Sequence, residues 1–192
     1  GPAPGVFLGV ARARGRHVSG VEVSPYAARI AQQKGFDVRI ADFSSLALVP
    51  NSFDVITMFD VLEHFSRPLQ ELQTAFRVLK PGGLLVINTP DASSFFAILF
   101  GIRWHLIVPP EHLYYFNSTN CARLLRSLGF RVRYSGKIWK SFTFYYIFHT
   151  LYRSQGFVLW RMFAALFRGR FLRKLAIPVP PLDSFFLIAE KL

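Results

Sequence analysis

The chain has 192 residues, 52% of them apolar, with 21 phenylalanines, one cysteine and a net charge of +12. That length and apolar content suffice for a core of its own and argue against disorder, and the lone Cys121 excludes an internal disulfide or a cysteine-rich zinc site. Charge is unevenly placed: residues 1–96 carry 9 Lys/Arg against 8 Asp/Glu (+1), and residues 97–192 carry 14 against 3 (+11).

Arg12, Arg14 and Arg16 interrupt any early apolar run, so no signal peptide is expected there. With a single cysteine, a reducing cytoplasmic location is expected. In chain order, the small-residue loop Gly1–Gly5 leads into a helical pattern at Val6–Arg14, ended by Gly15. A short buried strand is expected over His17–Val23. Ser24-Pro25 combines a hydroxyl cap with proline at the first helical position, which predicts a helix through Tyr26–Lys34 that stops at Gly35. Asp37–Ile40 reads as a strand followed by Ala41-Asp42-Phe43, and Phe53–Phe59 as a buried one. Apolar residues at helical spacing (Leu69, Leu72, Ala75, Phe76, Leu79) predict a helix from Pro68 to Val78. Lys80-Pro81-Gly82-Gly83 then forms a stop and turn before the strand Leu84–Asn88. Strands alternating with helices in this way predict an α/β fold with a largely parallel sheet and helices on both faces.

The second half is less regular. A polar island, Pro109-Pro110-Glu111-His112-Leu113-Tyr114-Tyr115-Phe116, precedes a helix over Thr119–Leu128, expected to be capped by Ser118 and closed by Gly129. Strands are expected at Phe130–Tyr134 and Phe185–Glu190. Between them lies a long insertion, assigned to 136–183, so that 1–135 and 184–192 form the α/β unit.

Five features stand in one order: the loop Gly1–Gly5; Glu22 ending the next strand; Asp42-Phe43; Phe53-Asp54-Val55 through Val61-Leu62-Glu63-His64; and Arg77 through Leu85 around the Pro-Gly-Gly turn. Together they resemble the class I S-adenosylmethionine-dependent methyltransferases, in particular the branch that includes ubiquinone-biosynthesis O-methyltransferases. The resemblance covers residues 1–90 well and 109–134 moderately. It implies a Rossmann-like sheet whose first, central strand would precede Gly1, so the chain is expected to be a truncated form or to fill that gap with another segment.

The same resemblance implies roles for individual residues. Gly1, Ala3 and Gly5 would lie near the methionine part of S-adenosylmethionine, Ala3 standing where a glycine is usual. Glu22 would accept from both ribose hydroxyls and Val23 would pack on the adenine. Asp42 would accept from the adenine amino group, with the Phe43 N–H beside it, and Phe59 would face the methionine moiety. Bland readings compete: Glu22 as a solvated strand-end acid, Asp42 as a cap of the loop that follows, Phe43 and Phe59 as core aromatics.

Methyl transfer from a sulfonium is an in-line displacement, so the protein chiefly supplies alignment and a dry pocket. A hydroxyl acceptor also needs a base. Glu111, His112 and Tyr115 are the candidates for acceptor handling, with His64 as a further substrate-side group; the competing reading is that Glu111-His112 only orders a tight turn. No metal is expected, because His64, His105 and His112 do not stand at ligand spacing with acids.

Ser141–Phe167 is apolar and aromatic, and Arg168, Arg170, Arg173 and Lys174 follow directly. Its longest uncharged run is too short to span a bilayer, which takes about 20 apolar residues. The composition fits either a lid packed on the sheet or a helix lying on an anionic membrane surface. Nucleic acid ranks behind both, since the basic residues are mixed with bulky apolar ones. The expected function is therefore S-adenosylmethionine-dependent methyl transfer, O-methylation first, to a small-molecule, glycan or lipid-linked acceptor. A non-catalytic fragment or a membrane-surface binding module of the same shape is the alternative.

Overall fold

The computed structural model describes residues 5–137, 140–169, 175–179 and 183–192. Helix α1 (Val6–Ala13) is followed by strand β1 (Ser19–Glu22), α2 (Pro25–Gln33) and β2 (Asp37–Ile40). Then come a 3-10 turn at Phe43–Ser45, β3 (Phe53–Phe59), a second 3-10 turn at Leu62–His64, α3 (Pro68–Val78) and β4 (Leu79–Pro90). The second half holds α4 (Phe95–Phe100), a 3-10 turn at Gly101–Arg103, α5 (Ser118–Ser127) and β5 (Phe130–Gly136). Last are β6 (Lys140–Thr143), α6 (Phe144–Gln155), α7 (Val158–Leu166), β7 (Ala176–Val179) and β8 (Ser184–Lys191).

Local chemistry accounts for the boundaries. The Ser24 hydroxyl accepts the Ala27 N–H at 3.4 Å and Pro25 takes the first position of α2, as expected. The start of α5 differs from expectation: Asn117, not Ser118, is the cap. Its side chain accepts the Asn120 N–H at 2.8 Å, while the Asn120 side chain accepts the Asn117 N–H at 2.9 Å. A reciprocal amide pair satisfies two main-chain donors, more than a single hydroxyl can. Strand β4 also starts earlier than expected. Helix α3 stops at Val78, but Leu79 already pairs with Phe53, and the register slips across Lys80–Gly83 before Leu84 meets Val55. Gly83 allows the slip: a Cβ there would lie 2.8 Å from the Lys80 carbonyl oxygen and 3.2 Å from that of Asp54. Across the same irregularity Lys80 bonds Asp54 at 2.7 Å and holds that exposed carboxyl below its usual range.

Strands β1 and β2 pair in parallel, and a four-stranded sheet runs in the order β3-β4-β8-β5. Within it β3 and β4 are parallel, whereas β8 returns antiparallel to both β4 and β5. The sheet is divided: Val21 pairs with Arg39 and Ile56 with Leu85, and no described strand joins β1 to β3. Two cores follow. The larger gathers Leu72 and Ala75 of α3, Cys121 and Leu125 of α5, Leu85 and Ile87 of β4, and Phe185, Leu187 and Ala189 of β8. The smaller holds Leu8, Ala28, Ala31, Phe36 and Val38. The Phe7 ring of α1 meets the edge of Phe59 on β3, with centroids 5.1 Å apart, and so bridges the two parts.

The segment between β5 and β8 is built on itself. Strands β6 and β7 pair antiparallel, and α6 packs along α7 through stacked rings, Phe148 lying 5.2 Å from Phe163 and 5.1 Å separating Phe144 from Phe167.

Candidate functional site

The carboxyl ends of the parallel strands carry most of the expected cofactor residues. Gly1 and Ala3 lie outside the described residues. Gly5 caps α1 with φ +82°, a conformation open to glycine, and a Cβ there would come within 3.1 Å of the Phe36 ring. Among the described residues no side chain caps the first turn of α1, and no acid lies in it. The leading N–H groups of that helix therefore lack an intrahelical partner and favour a negative group.

Glu22 ends β1 and is buried, so it is not the solvated strand-end acid of the bland reading. Its Oε1 accepts the Ser24 N–H at 3.0 Å, which orients the carboxylate. Val23, next to it, is 60% exposed, an apolar surface without a protein neighbour over most of its area. Asp42 is exposed and makes no side-chain cap to the turn Phe43–Ser45; its main-chain oxygen receives Ser45 instead. The loop-cap reading of Asp42 is thus overturned. Phe43 packs against the larger core, as the bland reading has it. Phe59 sits between Phe7 and Phe186, the latter ring 6.3 Å away. An oriented buried carboxylate, a free exposed one, an uncapped helix start and an exposed apolar side chain fit a charged nucleoside.

Beyond β3 the chain turns sharply. Asp60 has φ +49°, its N–H donates to the Asn88 carbonyl at 2.8 Å, and its Oδ1 accepts the Asn88 amide at 2.6 Å. Strain of this kind in a non-glycine residue concentrates where a site needs a fixed geometry. The following turn holds Glu63, 1% exposed, whose Oε2 accepts the Thr89 hydroxyl at 2.7 Å.

The polar island docks on that turn. Leu113 and Tyr114 donate main-chain N–H groups to the Glu63 carbonyl at 2.8 and 3.2 Å, and the Tyr114 hydroxyl donates to Ser66 O at 3.3 Å. His64 Nδ1 stands 2.7 Å from the Glu111 carbonyl, and His112 Nδ1 stands 2.7 Å from the Leu106 carbonyl. A carbonyl only accepts, so each Nδ1 carries the proton and each ring presents Nε2. The two imidazoles lie edge to face with centroids 4.8 Å apart, and Tyr115 lies 6.4 Å beyond His112.

His64, His112 and Tyr115 are therefore brought together. Glu111 joins them through its main chain: its carbonyl receives His64, its N–H goes to Val108 O at 2.8 Å, and its carboxylate is exposed. The acid that stands with the histidines is Glu63, which the sequence reading missed although Leu62-Glu63-His64 lay within the quoted motif. One ligand atom from each of Glu63, His64 and His112 lies within 4.8 Å of the others, a donor set suited to a divalent cation. The expectation that no acid joins these histidines at near-ligand distance is corrected here. Forty-eight residues separate the two histidines in the chain, and the docked loop alone closes that gap. His105 stands apart, paired with Asp183 at 3.2 Å. In the same loop the Trp104 indole N–H is buried without an acceptor among the described residues.

Comparison with known proteins bears on this arrangement. Residues 1–135 match the model of a methyltransferase domain family. The probable S-adenosylmethionine-dependent methyltransferase of Mycolicibacterium smegmatis is 32% identical over 96 residues, covering 50% of this chain and 35% of that protein. The ubiquinone biosynthesis O-methyltransferase of Pseudomonas entomophila is 31% identical over 83 residues, 40% of this chain and 36% of that protein. This chain thus spans about a third of the length of either relative. Among solved structures, a SAM-dependent methyltransferase of Thermotoga maritima superposes with a TM-score of 0.65 at 20% identity, covering 100% of this chain and 80% of that one. At that identity the likeness speaks for the Rossmann-like α/β fold.

Proposed function

Since the chain belongs to the methyltransferase domain family, we propose that it transfers a methyl group from S-adenosylmethionine to a hydroxyl oxygen of a small-molecule, glycan or lipid-linked acceptor. The observation that carries the hydroxyl reading is the histidine pair with both Nδ1 atoms tied to carbonyls. A hydroxyl needs a base as its oxygen attacks, and a ring locked in that tautomer presents a ready acceptor at Nε2.

S-adenosylmethionine supplies an activated methyl on a sulfonium leaving group. Glu22 holds the ribose end, Val23 and Asp42 flank the adenine, and the start of α1 at Gly5 receives the methionine end. Phe59 walls the pocket and excludes water. His112 takes the acceptor proton on Nε2; His64 and Tyr115 position the acceptor beside it; Glu63 fixes the turn from within through Thr89. Glu111 acts through its carbonyl, which sets the His64 tautomer. A reducing, cytoplasmic setting suits Cys121, which is buried and unpaired.

Isothermal titration with S-adenosylmethionine and S-adenosylhomocysteine tests the first half of the proposal. Saturable one-to-one binding is expected. No heat at about millimolar ligand would assign the chain to the non-catalytic alternative. A methyl-transfer screen over phenol, sugar and lipid-linked hydroxyls, read by mass spectrometry, tests the second half.

A further inference from the structure

Helix α7 has two apolar sides, and only one is used. At 100° per residue Trp160, Ala164 and Phe167 share the side turned to α6; Trp160 and Phe167 stack on Phe148, and Ala164 is buried. The other side carries Val158, Leu159, Met162 and Leu166, which are 66%, 55%, 65% and 62% exposed. Phe157, just before the helix, is 64% exposed. Four large apolar side chains in a ridge along one side of the helix, with Phe157 beside its start, exceed the scattered exposure normal for a folded protein.

Charge identifies the occupant. Arg161, on the flank of the ridge, and Arg168, two residues past the end of α7, are both exposed. Arg153, also exposed, belongs to α6 beside it, and the sequence has no acidic residue between Glu111 and Asp183. A protein partner that buried this ridge would need its own anionic rim, whereas an anionic lipid surface offers apolar depth and negative charge together. We propose that α7 lies on an anionic phospholipid bilayer, with Val158, Leu159, Met162 and Leu166 among the acyl chains and Arg161 and Arg168 at the headgroups. No helix of the described residues is long and apolar enough to cross a membrane. Nine residues of α7 extend about 13 Å at 1.5 Å each, so the contact is peripheral. The reach from ridge to headgroup suits arginine, whose stem covers apolar surface while its head stays wet.

The contact is independent of the methyl-transfer reading and is tested without it. The 192-residue chain is sedimented with vesicles of phosphatidylcholine, and with vesicles containing about 30 mol% phosphatidylglycerol, at low and high salt. Retention on the anionic vesicles that falls with salt is expected. The double substitution Leu159→Glu, Met162→Glu should lower the bound fraction about tenfold without moving the melting temperature, because both side chains are already exposed. Should that variant fold poorly, Arg161→Gln with Arg168→Gln supplies the same test through charge. Equal and negligible retention on both vesicle types overturns the proposal, and so does retention that none of these substitutions changes. A dimer in sedimentation velocity that the double variant dissolves, with no vesicle binding, also overturns it and makes the ridge an interface between copies.

Discussion

Glu22 and His112 are held by main-chain partners, so each can be changed with a defined result. Glu22→Gln keeps an acceptor for the Ser24 N–H but removes the charge, and a charge-assisted bond is worth about 1.5–3 kcal/mol. S-adenosylmethionine affinity is expected to fall about ten- to hundredfold in titration, with little change in melting temperature. His112→Gln should leave that affinity in place and lower kcat about 10²–10⁴-fold. If kcat holds, the ring orders the loop and moves no proton. Cys121 gives a stability test. Burial pushes its thiol up to about 12. Below the range of a free thiol both folded and unfolded chains keep the proton. Above it the unfolded chain releases its proton first, so stability falls toward pH 12, by about 1.4 kcal/mol per pH unit. Denaturant titrations of the wild type and Cys121→Ala at rising alkaline pH should differ by that slope. Glu22 was legible from its place at a strand end. Glu63 was not, because its role depends on Thr89, 26 residues away.

At the scale of elements, the turn from α3 into β4 is the most constrained. The approach of two carbonyl oxygens to Gly83 leaves no room for a methyl group, and backbone cannot swing aside as a side chain would. Gly83→Ala is expected to destabilise the fold by about 1–3 kcal/mol, measured as a lower denaturant midpoint at unchanged slope. Helix and strand positions were readable here because the periods of 3.6 and 2 are written in local apolar spacing. Caps and pairing limits were less so. Asn117 and Ser118 are both good caps, and the choice fell to the residue whose amide finds a reciprocal partner at Asn120. The early start of β4 depends on Phe53, which sequence distance hides from Leu79.

For the whole molecule the divided sheet matters most. The larger core joins residues from β3, β4, β5, β8, α3 and α5, while the smaller one is confined to the region around α1, α2 and β2. Cooperative opening follows buried apolar contact, so amide exchange in β1 and β2 should be faster than in β4 and β8. Uniform protection across both sheets would contradict this. Leu72→Ala, in the larger core and fully buried, should lower global stability by about 2–5 kcal/mol, read from the denaturant midpoint.

The sequence by itself determined the α/β class, the order of strands and helices as far as β4, and the residues at the strand ends, because all of these follow from local periodicity and punctuation; it gave no sign of α4. It also determined the charge asymmetry that singles out the second half. Tertiary structure decided what long-range pairing controls: the antiparallel return of β8 between β4 and β5, the docking of the Pro109–Phe116 loop on the Glu63–His64 turn, and the tautomers of His64 and His112. It also decided which side of α7 meets α6 and which is left bare. Each of these depends on a partner dozens of residues away, and local spacing carries no record of which distant groups will meet.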